Sequence, residues 1–189
     1  MISKRSRKFL PFIFLIVLAI GLYWATQPFD TASNLDSSVR GSSVNGLAPD
    51  FSGTTVDGEN IRISDYRGKI VLVNLFASWC GPCLAETPHL VEIDNDNQGD
   101  LIILGMNFQE TPKSISGYRK DFDISYPLVL DPEGSFFKLY RSVGLPTSWF
   151  IDPEGVIRYI HNGPMTATMI RKVLDDIRAG KQPDPFTSG

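Results

Sequence analysis

One stretch constrains the whole chain: Ile70-Val-Leu-Val-Asn-Leu-Phe-Ala-Ser-Trp-Cys-Gly-Pro-Cys83. Ile70 to Phe76 is apolar apart from Asn74, rich in β-branched residues and too short for a typical helix. Such a run suits a strand covered on both faces of a parallel or mixed sheet. Ala77 to Trp79 then turns the chain, and Cys80 falls where a helix should begin. Pro82 fits the first turn of that helix, where its missing N–H would have had no partner. Cys80 is therefore placed beside unpaired backbone N–H groups and the positive end of a helix dipole, which favour thiolate over thiol. A thiolate attacks disulfides, and a two-residue spacer lets Cys83 close onto Cys80 and expel a bound partner.

Two plainer readings compete. A structural disulfide with this spacing would close a very short loop, and short loops add least to stability. A metal site would need more ligands, because two cysteines supply half of a tetrahedral shell and the chain has no others. His89 is the only nearby addition, and a lone histidine near a helix surface is usually solvated.

At 189 residues, one domain with a short appendage is expected. With 18 basic against 21 acidic residues and a net charge of -3, no basic patch suggests nucleic acid. Residues 1–8 carry Lys4, Arg5, Arg7 and Lys8, and 9–25 is uncharged and almost wholly apolar. Tyr23, two positions before Ala25, spoils an A-x-A cleavage pattern, so an uncleaved transmembrane signal-anchor is expected. The basic residues should stay cytoplasmic, which puts everything after the anchor outside the membrane, where disulfides persist. Residues 26–45 read as a flexible tether, 46–180 as the domain and 181–189 as a tail.

Within the domain, Phe51–Val56 and Asn60–Ile63 flank Asp57-Gly-Glu59 as a hairpin, and Ser64–Gly68 forms a short turn before the central strand. A helix from Pro82 to about Ile93, kinked at Pro88, leads to a second buried strand, Leu101–Phe108. A helix over Lys113–Phe122, a strand over Tyr126–Leu130 and a short helix over Ser135–Tyr140 follow. Thr147–Ile151 and Val156–Ile160 are strands joined by Asp152-Pro-Glu-Gly155, and Thr166–Ala179 is the last helix. The pattern gives an α/β/α domain with two parallel strands joined by a helical crossover, then an antiparallel hairpin.

Trp79-Cys-Gly-Pro-Cys83 matches the thioredoxin active-site motif. Ala48-Pro-Asp-Phe51, Leu72–Trp79, Glu86-Thr-Pro88, Gly144-Leu-Pro-Thr147 and Phe150–Gly155 narrow the likeness. Together they resemble the membrane-anchored ResA/TlpA group of extracytoplasmic thioredoxin-like proteins, ResA most of all, over roughly residues 45 to 178. The resemblance implies a thioredoxin fold with a mixed sheet and an added N-terminal hairpin. It implies Cys80 as nucleophile, Cys83 as resolving thiol, and no cofactor or metal beyond the redox-active disulfide. It also implies a glutamate near the cysteines at Glu86, able to take and return the Cys83 proton and to oppose thiolate formation. Thioredoxins proper carry a buried aspartate where this chain has Asn74, so a proton-accepting role has to move, and Glu86 is the candidate. Glu110 aligns with a second acidic residue of the group, at the substrate side. Pro146 is expected to be cis, placing Leu145 beside the cysteines to pair with an extended client, with Trp79 flanking the site.

The function implied is reduction of the CxxCH disulfide of apocytochrome c, with electrons from a CcdA-like membrane thiol transporter. An oxidase, an isomerase or a reductant of another envelope protein would use the same fold. A thiol peroxidase needs proline seven and Thr or Ser three residues before its cysteine, and here Val73 and Ala77 occupy those places. A copper chaperone would need an added histidine ligand and wider cysteine spacing.

Overall fold

The computed structural model describes residues 43–184. The expected basic segment, anchor and most of the tether lie outside the described residues, as do the last five residues. Among the described residues no helix is long and apolar enough to cross a membrane.

The apolar run becomes β3 (Ile70–Phe76), buried at every position. It lies at the centre of a five-stranded sheet with β4 (Leu101–Phe108), β5 (Leu128–Asp131), β6 (Thr147–Ile151) and β7 (Ile157–Asn162), in the order β5-β4-β3-β6-β7. β4 pairs parallel with β3 and β5 parallel with β4, whereas β6 runs antiparallel to β3 and β7 antiparallel to β6. The sheet is mixed, and its most hydrophobic strand has neighbours on both sides.

Helices α1 (Gly81–Asn95) and α2 (Pro112–Phe122) make the two parallel crossovers. Both crossovers step the same way along the sheet, so right-handed connections put both helices on one face. Leu90 and Ile93 of α1 and Ile115 and Tyr118 of α2 share one buried cluster with Ile170, Leu174 and Ile177 of α4 (Ala167–Arg178). The opposite face holds Val71, Val73 and Leu75 against Phe136 of α3 (Ser135–Leu139), Tyr140 and Trp149. Burying each large side chain of these layers stabilises the fold by about 1.5–3 kcal/mol. Truncating a fully buried one such as Phe150 to Ala costs roughly 3–5 kcal/mol.

The hairpin expected near the start is β1 (Ser52–Thr54) paired antiparallel with β2 (Asn60–Arg62). It closes the free side of β5, where Val56 N donates to the Leu128 carbonyl at 2.9 Å. A 3-10 turn, Ile63–Tyr66, leads into β3. β5 begins two residues later than expected, because Tyr126 packs in the core and Pro127 has no N–H to enter a ladder. α1 runs on through Pro88 to Asn95, two residues past its expected end. Asn74 pairs with Gly105 across the β3–β4 ladder. A Cβ at Gly105 would sit 2.6 Å from Leu128 Cδ2 and 3.1 Å from Phe76 Cε1, so only glycine permits this packing beside Asn74.

Candidate active site

β3 ends at Phe76, and Cys80 is the N-cap of α1, with Pro82 in the first turn. Cys80 and Cys83 are joined as a disulfide across a Cα–Cα distance of 5.2 Å. The Cys83 N–H donates to Cys80 Sγ at 3.3 Å. That N–H is one of the orphan donors of a helix start, so charge on the Cys80 sulfur is favoured there. Cys80 is 6% exposed and Cys83 1%, so Cys80 is the sulfur a client reaches first. Trp79 is 66% exposed beside them.

Glu86 lies one turn beyond Cys83 and is 1% exposed, so the solvated surface carboxylate that a helix residue usually provides is not found here. Two donors hold it: Asn74 Nδ2 reaches Oε2 at 2.9 Å, and Met165 N reaches Oε1 at 3.0 Å. Asn74 Nδ2 also donates to Ser148 Oγ at 3.0 Å. Burial pushes the Glu86 carboxyl up to about 7, against the lowering effect of both hydrogen bonds. A carboxyl that titrates there can accept and return a proton near neutral pH.

Glu110 follows β4 and is turned toward the loop that precedes Cys80. It accepts from Ser78 N at 2.7 Å and Asn107 Nδ2 at 2.6 Å, and from the Ser78 hydroxyl. Both oxygens are engaged inside the protein, so Glu110 is placed to hold the Ser78–Trp79 loop rather than to offer a free carboxylate to a client.

The Leu145–Pro146 peptide bond is cis. Pro146 is buried, and half-buried Leu145 packs against both core clusters, one of which contains Cys80 and Cys83. The Pro146 carbonyl accepts from Gly163 N at 2.9 Å. A second brace lies under α1. Thr87 Oγ1 donates to the Cys83 carbonyl at 2.8 Å and is hydrogen-bonded to the Tyr118 hydroxyl. Among the described residues no group of three or more His, Cys, Asp or Glu is placed to hold a metal.

Ser148, Met165 and Thr87 escape sequence reasoning. Ser148 could be suspected as a polar residue in an apolar strand facing Asn74. Met165 contributes a main-chain N–H, which leaves no trace in residue type.

A central strand leading to a helix-capping cysteine, a buried disulfide and a cis-proline at Pro146 define a thioredoxin-fold thiol-disulfide oxidoreductase. The chain belongs to the AhpC/TSA family, whose model matches residues 44–160. It is 35% identical to the thiol-disulfide oxidoreductase ResA of Geobacillus kaustophilus over 71% of this chain and 78% of that protein. The thioredoxin-like protein YneN of Bacillus subtilis is 33% identical over 68% of this chain and 76% of its own length. Among solved structures, a thiol:disulfide interchange protein of Chlorobium tepidum superposes with a TM-score of 0.64 at 27% identity, covering 70% of this chain and 96% of that one. ResA-type thiol-disulfide exchange is thus the chemistry of this chain.

Proposed function

We propose that this protein is a reductant of protein disulfides on the extracytoplasmic side of a membrane, held there by residues 9–25, and that the CxxCH disulfide of apocytochrome c is its client. The observation that carries the reducing direction is the buried Glu86 one turn beyond Cys83. A carboxylate there raises the cost of a thiolate on the reduced pair, which opposes the property that makes a strong oxidant.

The exchange starts when the Cys80 thiolate attacks one sulfur of the client disulfide. The Cys80–client bond forms, and the client's other sulfur leaves as a thiolate and takes up a proton. Cys83 gives its proton to Glu86 and attacks Cys80 Sγ. The Cys80–Cys83 bond forms, the bond to the client breaks, and the leaving thiolate recovers the proton from Glu86. The client gains two electrons and two protons, and the protein is left as the disulfide. A CcdA-like membrane thiol transporter would return it to the dithiol, since the compartment itself is oxidising. Leu145 and Pro146 face the pair as the edge on which an extended client lies, and Trp79 flanks it.

Trapping tests the assignment. Cys83→Ser, mixed with an oxidised CxxCH peptide, should accumulate a Cys80–peptide mixed disulfide, and Cys80→Ser should not. A trap on Cys83 alone would overturn the order of attack. Wild-type protein that oxidises a reduced CxxCH peptide, and never reduces the oxidised one, would overturn the direction.

A further inference from the structure

The loop Gly163–Met165, between β7 and α4, touches both halves of the site. Its Gly163 N–H donates to the Pro146 carbonyl at 2.9 Å, and its Met165 N–H donates to Glu86 Oε1 at 3.0 Å. One residue, Pro164, separates the two donors. Gly163 has φ +107°, a conformation that only glycine adopts without strain, so the loop path between the contacts is tightly set. Thr166 caps α4 immediately beyond, its hydroxyl accepting from Met169 N at 3.3 Å. The loop is therefore anchored to a helix, with two N–H groups pointing outward to the cis-proline and the carboxylate.

We propose that the Gly163–Met165 loop is a positioning element that links the protonation of Glu86 to the client-binding edge at Leu145–Pro146. Ionised Glu86 accepts a charge-assisted bond from Met165, and the protonated acid accepts a weaker one. Weakening that end loosens the loop and, through Gly163, the hold on Pro146. The linkage is reciprocal: a client seated on the edge favours ionised Glu86. It rests on the exchange cycle proposed above, in which Glu86 is neutral while Cys83 displaces the client.

Few other groups can mimic this effect. Around Glu86, α1 brings Cys83 and, one turn on, the half-buried His89; α2 brings Tyr118, and Tyr126 precedes β5, both phenols held up by burial and out of the range concerned. On β7, the nearby imidazole is His161. Burial lowers it, offset in part by a hydrogen bond with the Pro164 backbone, and β3, β6 and the start of α4 bring none. His89→Gln combined with His161→Gln removes both imidazoles and serves as the background for the test.

Backbone amide signals of the full chain in detergent micelles read the coupling with both loop donors, Gly163 N and Met165 N, in place. In the protein carrying His89→Gln and His161→Gln, Met165 and Gly163 should titrate with one shared midpoint near that of Glu86. A titrating Met165 beside a pH-invariant Gly163 would overturn the linkage. Kinetics give the second reading, with an oxidised CxxCH peptide as client. Met165→Pro removes the donor and should raise KM roughly tenfold at pH 8, the loss of one charge-assisted bond, and flatten its pH dependence. Met165→Leu keeps the N–H and should restore the wild-type profile. A wild-type KM profile in folded Met165→Pro would overturn the inference while leaving the exchange cycle intact. No exchange with peptide by wild type would instead overturn the reductant reading on which the linkage depends.

Discussion

The Asn74 side chain donates to Glu86 Oε2 at 2.9 Å, so a strand residue that cannot take a proton holds the helix residue that can. Asn74 is thus a replacement for the buried acid of thioredoxins only in place. Its work is to fix the orientation of the carboxylate, with Ser148 accepting its second proton.

Glu86 should make the oxidised protein less stable as pH rises. Its carboxyl moves from 4.5 to about 7 in the fold, so the folded state favours the protonated form. That contribution is complete below about pH 4.5 and is lost as pH climbs through 7. The loss is on the order of 3 kcal/mol. Glu86→Gln should lose little over this range and be the more stable form at pH 8. Denaturant midpoints at pH 5 and pH 8 measure the difference, and parallel wild-type and variant profiles would contradict it.

The same variant should be slow. Without a proton acceptor beside Cys83, resolution of the mixed disulfide should fall by roughly 10²-fold at neutral pH, the usual scale for one general base. Single-turnover kinetics with a peptide disulfide would show Cys80 attack still fast and release slowed. Equal slowing of both steps would point to a change of structure instead.

Asn74→Asp should bring two carboxylates within hydrogen-bonding distance. Two like charges cannot both ionise there at ordinary cost, so the pair should take up a shared proton that persists above pH 7. Carbon-detected titration of the two carboxyl groups should show two separated steps. Two ordinary, independent titrations near pH 4 would contradict the buried geometry.

Thr87 tests the brace beneath α1. Thr87→Val removes the bond to the Cys83 carbonyl and leaves the Tyr118 hydroxyl without that partner, at a cost of roughly 1–3 kcal/mol. Adding Tyr118→Phe should recover part of the loss, because both polar partners are then gone. A double variant that simply sums two losses would exclude a direct pairing.

Much of the fold was legible because its signals are local. The continuous apolar run at Ile70–Phe76 can be a buried strand and little else, and Pro82 beside Cys80 marks a helix start. Gly155 and Gly180, both at positive φ, close the turn and end the helix where their positions suggested. The site divided differently. The cysteine pair shows in its spacing, whereas the burial of Glu86 depends on β6 and on the loop after β7, distant in sequence. Helical spacing put Glu86 on the side of Cys83 without saying that this side was inside. Glu110 carried the same ambiguity: residue type marks a carboxylate, and only the fold shows Ser78 and Asn107 turned toward it.

The reduction potential of the Cys80–Cys83 couple, measured on the full chain in detergent against a glutathione or dithiothreitol series, tests the reductant reading most directly. The expected value lies near or below that of thioredoxin, about -270 mV. A value near that of the strong oxidants, about -120 mV, would contradict it and make the protein a donor of disulfides.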